Sequence, residues 1–397
     1  MAILRNIHVA RKYNVTPATV GNWIELAKNR RINLSLTTIN GRSYIEDTDL
    51  NHLELQRLKN QGVKHRAKST SVRITPDPKI YKIFTEDQLI SLFANISYYN
   101  MIPVKFSYTD VGAQYYNAFF KESLNNVKSA GYKEMSIINS NFLSIVGKFE
   151  GAASVNLVEV GTGNIGSTAK SLIEEFKKNN QLSTYISISS SDKMLEIRKK
   201  DLEPKIKNKI SSYKMDIEEN VIRNILFKEN KDLKTRNLCL VLQGFLGNVR
   251  NTSVVLSNLA ESMSNNDYIC MSVALVDENS VDKTDSKVGD NFEQKHIWLL
   301  EVLGISKYID TKHYEYDAFK KLRSSHFTLL QNVEIVFQID GREIVLYLER
   351  DRVITFFINY RFTLTEVIKL FDDAKLRVEQ YHAYKDGGLG LFLVRPA

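Results

Sequence analysis

The chain has 397 residues, 43% of them hydrophobic and 25% charged, the make-up of a globular protein long enough for two domains. No apolar run reaches the ~18 residues that span a bilayer, the opening MAILRNIHVARKYN lacks a signal-peptide core, and the seven histidines show no metal-ligand spacing. Net charge is +8, and residues 1–70 carry twelve Lys and Arg against five Asp and Glu, so almost all of the surplus sits in that segment. A membrane protein, an exported protein and a metalloenzyme are therefore not expected, and a polyanion partner for the N-terminal segment is. Cys239 and Cys270 lie in apolar strand-like runs and read as buried free thiols of a cytoplasmic protein.

Taken in chain order, NIHVARKYNVTPATVGNWIELA (residues 6–27) predicts two short helices. Asn14 and Val15 interrupt the first, Thr16 is an N-cap, and Pro17 suits the first helical position. Val20, Trp23, Ile24 and Ala27 then repeat at helical spacing, which leaves Thr19, Gly21 and Asn22 on the outer face. After Arg30 and Arg31, Asn40-Gly41 separates LSLTT from RSYI, a hairpin signal, and helical pattern resumes near Asp49. The pieces VARKYNVTPATVGNWI and NGRSYIEDTDLNHL resemble winged helix-turn-helix domains of the MerR and excisionase type. That resemblance implies a DNA-binding head over residues 1–66, with Arg42 and Tyr44 of the wing on backbone phosphate. Thr16, Thr19, Asn22, Arg30 and Arg31 complete the candidate interface with double-stranded DNA, and such heads act as homodimers on paired half-sites.

Residues 67–84 are polar and proline-punctuated and read as a linker, after which Thr85-Glu86-Asp87-Gln88 opens a new helix with a capping box. At 154–160 the strand SVNLVEV runs into a glycine turn, Gly161-Thr162-Gly163-Asn164, and then a helix. Glu159 before the glycines favours S-adenosylmethionine (SAM) over a dinucleotide, because a carboxylate gains nothing beside a pyrophosphate. Further strands are expected at 183–192, 212–217, 237–248 and 267–279, with Asp216 placed to meet an adenine amino group. Strands within 333–362, a capped helix at 363–376 and a final strand at 388–396 follow. This order predicts an α/β fold: a Rossmann-like class I SAM-methyltransferase sheet, parallel with antiparallel closing strands, beside the small head.

Lys105, Phe106, Tyr108 and Gly112 in PVKFSYTDVGAQYYNAFF, together with LVEVGTGNIG, QGFLGN and ALVDEN, resemble the histidine-specific methyltransferase family across about residues 85–397. The resemblance implies SAM as cofactor and S-adenosylhomocysteine (SAH) as product. It implies that Tyr108 and Tyr116 wall the site, that Tyr132 lies near the reacting amine, and that Gly161 and Gly163 pass over the methionine moiety. It also implies that Asn248, after Gly247, bonds the amino-acid part of the substrate. The sequence departs from that pattern in three places. Ser189 stands where the family has an Asp for the ribose, which weakens that contact by about 1–2 kcal/mol unless Asp192 replaces it. Ala274 falls within the fifth-strand motif, and Phe357 and Asn359 stand where the family reads an imidazole, so histidine is not the expected acceptor.

Gln243-Gly244-Phe245-Leu246 replaces the Asp/Asn-Pro-Pro-aromatic motif of amino-directed base methylases, and neither cysteine precedes a loop, so a DNA-base methylase is disfavoured. Two readings stand. One is a methyltransferase acting on an amine of a small molecule or peptide, localised by its head. The other is a DNA-binding regulator whose methyltransferase-like domain senses SAM or a related ligand.

Overall fold

The computed structural model describes residues 3–4, 6–28, 32–39, 42–64, 71–161, 168–207, 209–230, 232, 234–276 and 290–397. The chain divides into two compact units, one of residues 1–102, 299–313 and 326–356, the other of residues 103–298, 314–325 and 357–397.

The first unit opens with β1 (Ile3–Leu4), α1 (Asn6–Tyr13), α2 (Pro17–Lys28), β2 (Leu36–Ile39), β3 (Arg42–Glu46) and α3 (Asp49–Lys64). Asn14 takes φ 50° in the turn between the first two helices. Thr16 Oγ1 accepts the Thr19 N–H at 3.1 Å, which caps α2 ahead of Pro17 as its residues predict. β2 and β3 pair antiparallel with Leu36 opposite Ile45, and Asn40-Gly41 lies outside the described residues. Val9, Tyr13, Val20, Trp23, Ile24, Ile45 and Leu55 form the small core beneath. The stretch read as a linker contains β4 (Val72–Ile74), which pairs in parallel with residues Val333–Ile339. After α4 (Ile80–Ile83), α5 (Glu86–Tyr99) carries the expected capping box from Thr85 and packs on α3. There the Tyr13 hydroxyl joins His52 Nδ1 at 2.5 Å and the Tyr98 hydroxyl at 3.0 Å, while His52 Nε2 meets Asp47 at 2.7 Å.

The second unit begins with a 3-10 turn, Val104–Tyr108, then α6 (Asp110–Ser123) and α7 (Ala130–Gly147). Alternating elements follow: β5 (Ser154–Val160), α8 (Lys170–Lys178), β6 (Leu182–Ser189), α9 (Asp192–Ile206), β7 (Ile210–Lys214), α10 (Arg223–Glu229) and β8 (Thr235–Val241). Next come α11 (Phe245–Asn248), α12 (Thr252–Ser262), β9 (Tyr268–Ala274) and α13 (Asp290–Val302). The chain continues through β10 (Ile309–Asp317), β11 (Leu322–Leu329), β12 (Val333–Ile339), β13 (Arg342–Leu348) and β14 (Val353–Tyr360). It ends with α14 (Leu364–Asp373), β15 (Leu376–Ala383) and β16 (Leu389–Pro396).

Seven strands make one sheet in the order β15-β16-β9-β8-β5-β6-β7. The five from β9 to β7 run parallel, and β16 pairs antiparallel with both β9 and β15. Side chains alternate through the sheet. Val155 and Leu157 of β5 join the core that holds Ile138, Leu172 and Phe176. Val158 and Val160 join the opposite core with Leu226, Leu256 and Phe371. The chain winds outward on both sides of β5, so the topological switch point lies at its C-terminal end, where such sheets bind ligands. Four strands end earlier than the sequence predicts, β6 at Ser189 and β9 at Ala274 among them. β7 stops at Lys214, which puts Asp216 in the following loop, and β8 stops at Val241, which leaves Gln243-Gly244 to turn into α11.

A buried ion pair fixes that end of β5. Glu159 is fully buried, and its carboxylate meets Arg198 Nε of α9 at 2.8 Å and accepts the Tyr185 hydroxyl at 2.7 Å. Arg198, 1% exposed, also donates through Nη2 to the Gly161 carbonyl at 2.6 Å. Removing one partner strands a charge in the interior, so Arg198→Met is expected to cost about 3–5 kcal/mol in urea unfolding. A loss below about 1 kcal/mol would mean that the pair does not hold the strand end.

Candidate functional site

Gly161 follows β5 directly. Its N–H donates to the Ile188 carbonyl at 3.1 Å, and its φ of +114° suits glycine alone. A Cβ there would lie 2.8 Å from the ring of Phe245, so space and backbone conformation both demand glycine. Thr162, Gly163 and Asn164 lie outside the described residues. Glu159 is engaged by Arg198 and Tyr185, so its reach toward a ligand runs through the Gly161 backbone that Arg198 holds.

The other polar residues assigned to the cofactor engage neighbours. Ser189 is buried, and its hydroxyl accepts the Ser191 N–H at 3.2 Å. Asp192 opens α9 and pairs with Lys214 at 2.5 Å. Asp216 pairs with Lys105 at 2.5 Å and accepts the Glu218 N–H at 3.0 Å, while Glu219 meets the same lysine at 3.0 Å. Burial alone would lower the Lys105 pKa, but the two carboxylates win and raise it.

Of the remaining predicted residues, the structure brings Tyr108, Tyr116, Asn248 and Asn359 together at the C-terminal edge of the sheet, and it does not bring Tyr132 to them. The rings of Tyr108 and Tyr116 stand edge to face at 4.6 Å, both buried. The Tyr116 hydroxyl donates to Gln243 Oε1 at 2.9 Å. Asn359 of β14 donates through Nδ2 to Asn248 Oδ1 at 2.9 Å, so the two predicted substrate amides are partners. Gly247 permits this, since a Cβ there would lie 2.6 Å from the Tyr360 carbonyl and 2.9 Å from the Asn359 amide. Phe357 is buried with its ring 5.3 Å from that of His296. Val104, Lys105, Tyr108, Gln243, Phe245 and Asn248 line one cavity. Tyr132, half-buried in the first turn of α7, donates its backbone N–H to the Ser129 hydroxyl.

The roles of three residues of this region escaped the sequence reading. Gln243 holds a left-handed φ of 63°, followed by Gly244 at 66°. Glu134 of α7 sets that turn, accepting the Gln243 N–H at 2.6 Å and the Ser272 hydroxyl on the same oxygen. Lys295 of α13 is 2% exposed and lies against Tyr108, Tyr116 and Phe119. A left-handed non-glycine after β8 left no sequence signal, nor did the burial of a Glu and a Lys within helical patterns.

In the head, Thr16 and Asn22 are exposed, and Thr19 and Tyr44 are half-buried. Arg42 is described only as the first residue of β3, and Arg30 and Arg31 lie outside the described residues.

Residues 86–396 match the sequence profile of a family described as histidine-specific methyltransferase, SAM-dependent. The chain belongs to that family, and SAM is its cofactor. No match is found among curated proteins. Similar solved structures include the CcbJ methyltransferase from Streptomyces caelestis, 11% identical over 67% of this chain and 89% of that chain, with a TM-score of 0.38. Another is magnesium protoporphyrin IX methyltransferase from Synechocystis PCC 6803 with bound SAH, 10% identical over 74% and 98% of the two chains, TM-score 0.40. A SAM-dependent methyltransferase from Clostridium acetobutylicum ATCC 824 is 10% identical over 72% and 100%, TM-score 0.37. The chain's own residues fit the cofactor at Gly161, where a side chain would fill the cradle between the strand end and Phe245.

Glu134 generates a pH prediction. Burial pushes its pKa from 4.5 up to about 7, against the opposing pull of its Ser272 and Gln243 hydrogen bonds. The folded state therefore holds a proton that the unfolded chain releases between those values. The associated stability is complete below the lower value and is lost as pH rises through the upper one. From pH ~5 to ~8 the wild type is expected to lose about 2–3 kcal/mol relative to Glu134→Gln, read from urea midpoints. Parallel pH profiles for the two proteins would contradict the assignment.

Proposed function

We propose that this member of the histidine-specific, SAM-dependent methyltransferase family transfers a methyl group to an amine of a small molecule or peptide other than histidine. The observation that carries this reading is the cluster of two buried tyrosines and three half-buried amides set against the Gly161 cradle. When bound, SAM supplies an electrophilic methyl group. The protein's part is to orient the acceptor and to keep its amine neutral and dry. Gly161 lets the backbone approach the cofactor, with Asp216 and Lys105 at the far end of the site. Asn248, fixed by Asn359, keeps its amide nitrogen to donate to an acceptor oxygen. Tyr108 and Tyr116 wall the amine, and Phe357 offers a ring where an imidazole reader needs an acceptor.

The helix, turn, helix, hairpin and helix order of residues 6–64 supports a winged DNA-binding head that acts as a homodimer. A second reading, a regulator that senses SAM, draws on the internal partners of three polar residues: Asp192 and Asp216 are held by lysines of this chain, and the Ser189 hydroxyl by a backbone N–H.

Methyl-labelled SAM incubated with the protein and a panel of aliphatic, aromatic and peptide amines tests the first reading. Label is expected on a non-histidine amine, and Asn248→Ala should lower that labelling by about tenfold. Labelling of histidine above every other amine would overturn the acceptor assignment. For the head, Arg42→Ala should weaken binding to a random-sequence duplex and lower the log–log salt slope by about one. An unchanged slope would remove Arg42 from the phosphate contact.

A further inference from the structure

The cavity under Phe245, the ring that lies over Gly161, has a carboxylate in its wall that pairs with no described cation. Its charged lining residues are Lys105 and Glu218. Lys105 is already matched, since its ammonium meets both Asp216 and Glu219. Glu218 is half-buried in the loop after β7. Its Oε2 accepts the Arg250 backbone N–H at 3.1 Å, a bond that brings no full charge. Burial and the Asp216 charge raise the Glu218 pKa, while Lys105 and the Arg250 N–H pull it down. A cation entering the cavity would favour the ionised form directly. The rest of the lining suits an amine with an apolar stem. The Asn248 oxygen is taken by Asn359, which leaves its amide nitrogen to donate, and Tyr108 and Phe245 offer ring faces to methylenes or to a cationic end.

We infer that Glu218 sets the acceptor class: the protein methylates an amine that carries a second, cationic group, and the Glu218 carboxylate binds that second group. The inference rests on the methyltransferase reading above and narrows its acceptor. A bound second cation also lowers the pKa of the reacting amine through like-charge repulsion, which favours the neutral nucleophile. That amine has given its proton to solvent before the transfer. Its lone pair then forms the new N–C bond, and the electron pair of the broken S–C bond stays on sulfur, leaving SAH and a methylammonium. Glu218 takes no proton in this step and remains ionised, so it is a specificity residue and not the base.

The test follows label from methyl-labelled SAM with the full-length protein and matched amines: putrescine against butylamine, L-ornithine against L-norvaline, and L-lysine against L-norleucine. The dication of a pair should exceed its partner in kcat/KM by about tenfold, mainly through KM. Glu218→Gln, whose amide oxygen still accepts the Arg250 N–H, should erase the preference while calorimetric binding of SAM and SAH stays unchanged. Glu218→Asp keeps the charge and should retain most of the preference. Equal use of both members of every pair, SAM binding with no dication labelled, or a preference that survives Glu218→Gln would overturn the inference. So would a Glu218→Gln protein that loses affinity for SAM but not for SAH, since the carboxylate would then serve the sulfonium. Label on monoamines alone would leave the methyltransferase reading intact, whereas absence of SAM binding to the wild type would sink that reading and this inference with it.

Discussion

A guanidinium and a carboxylate removed from water hold the end of β5, and the rest of the site is placed from there. Glu159 and Arg198 neutralise one another at 2.8 Å in the interior, where an unpaired charge is costly. Arg198 belongs to α9, so the pair ties that helix to the central strand, and its second nitrogen fixes the Gly161 carbonyl. The first residue of the glycine turn is thereby positioned by the core beneath it. Phe245 packs on that residue, and the turn that leads into Phe245 brings Gln243 to the hydroxyl of Tyr116.

At the end of the neighbouring strand β8 a carboxyl from α7 performs a similar task by other means. Glu134 holds the Gln243 turn through hydrogen bonds, with no cation among its described bonding partners, and its pKa accordingly moves into the neutral range. Gln243 and Gly244, both at positive φ, hold a conformation that a non-glycine residue adopts only when its surroundings dictate it. The ends of the paired strands β5 and β8 are therefore held by two different carboxyls, one in an ion pair and one through hydrogen bonds. Asn248 and Asn359 meet beyond the second of these ends.

Much of the fold was legible because local and global signals agree. The alternation of Val155, Leu157 and Val158 fits a strand buried on both faces, and Thr85 and Thr363 cap their helices through capping boxes. Thr16 and Pro17 likewise mark the start of α2. The site was legible in part. Gly161, Tyr108, Tyr116, Asn248 and Asn359 were visible as motif residues, and the structure places them along one edge of the sheet. The roles of Glu134, Gln243 and Lys295 were not, because they arise from distant chain segments: Glu134 meets Gln243 and Ser272, and Lys295 meets rings on α6. Nor could spacing show that Asp192 and Asp216 would find lysine partners, since those lysines come from β7 and from the turn before α6.

The central claim is that the cradle beside Gly161 holds SAM in this chain, despite a serine at position 189 and the internal partners of Asp192 and Asp216. Calorimetric titration of the purified protein with SAM and with SAH, beside a Gly161→Arg variant shown by circular dichroism to be folded, tests it most directly. Micromolar binding of both ligands to the wild type and its loss in the variant are predicted. Absence of binding to the wild type at millimolar ligand, or undiminished binding to the folded variant, would contradict the claim.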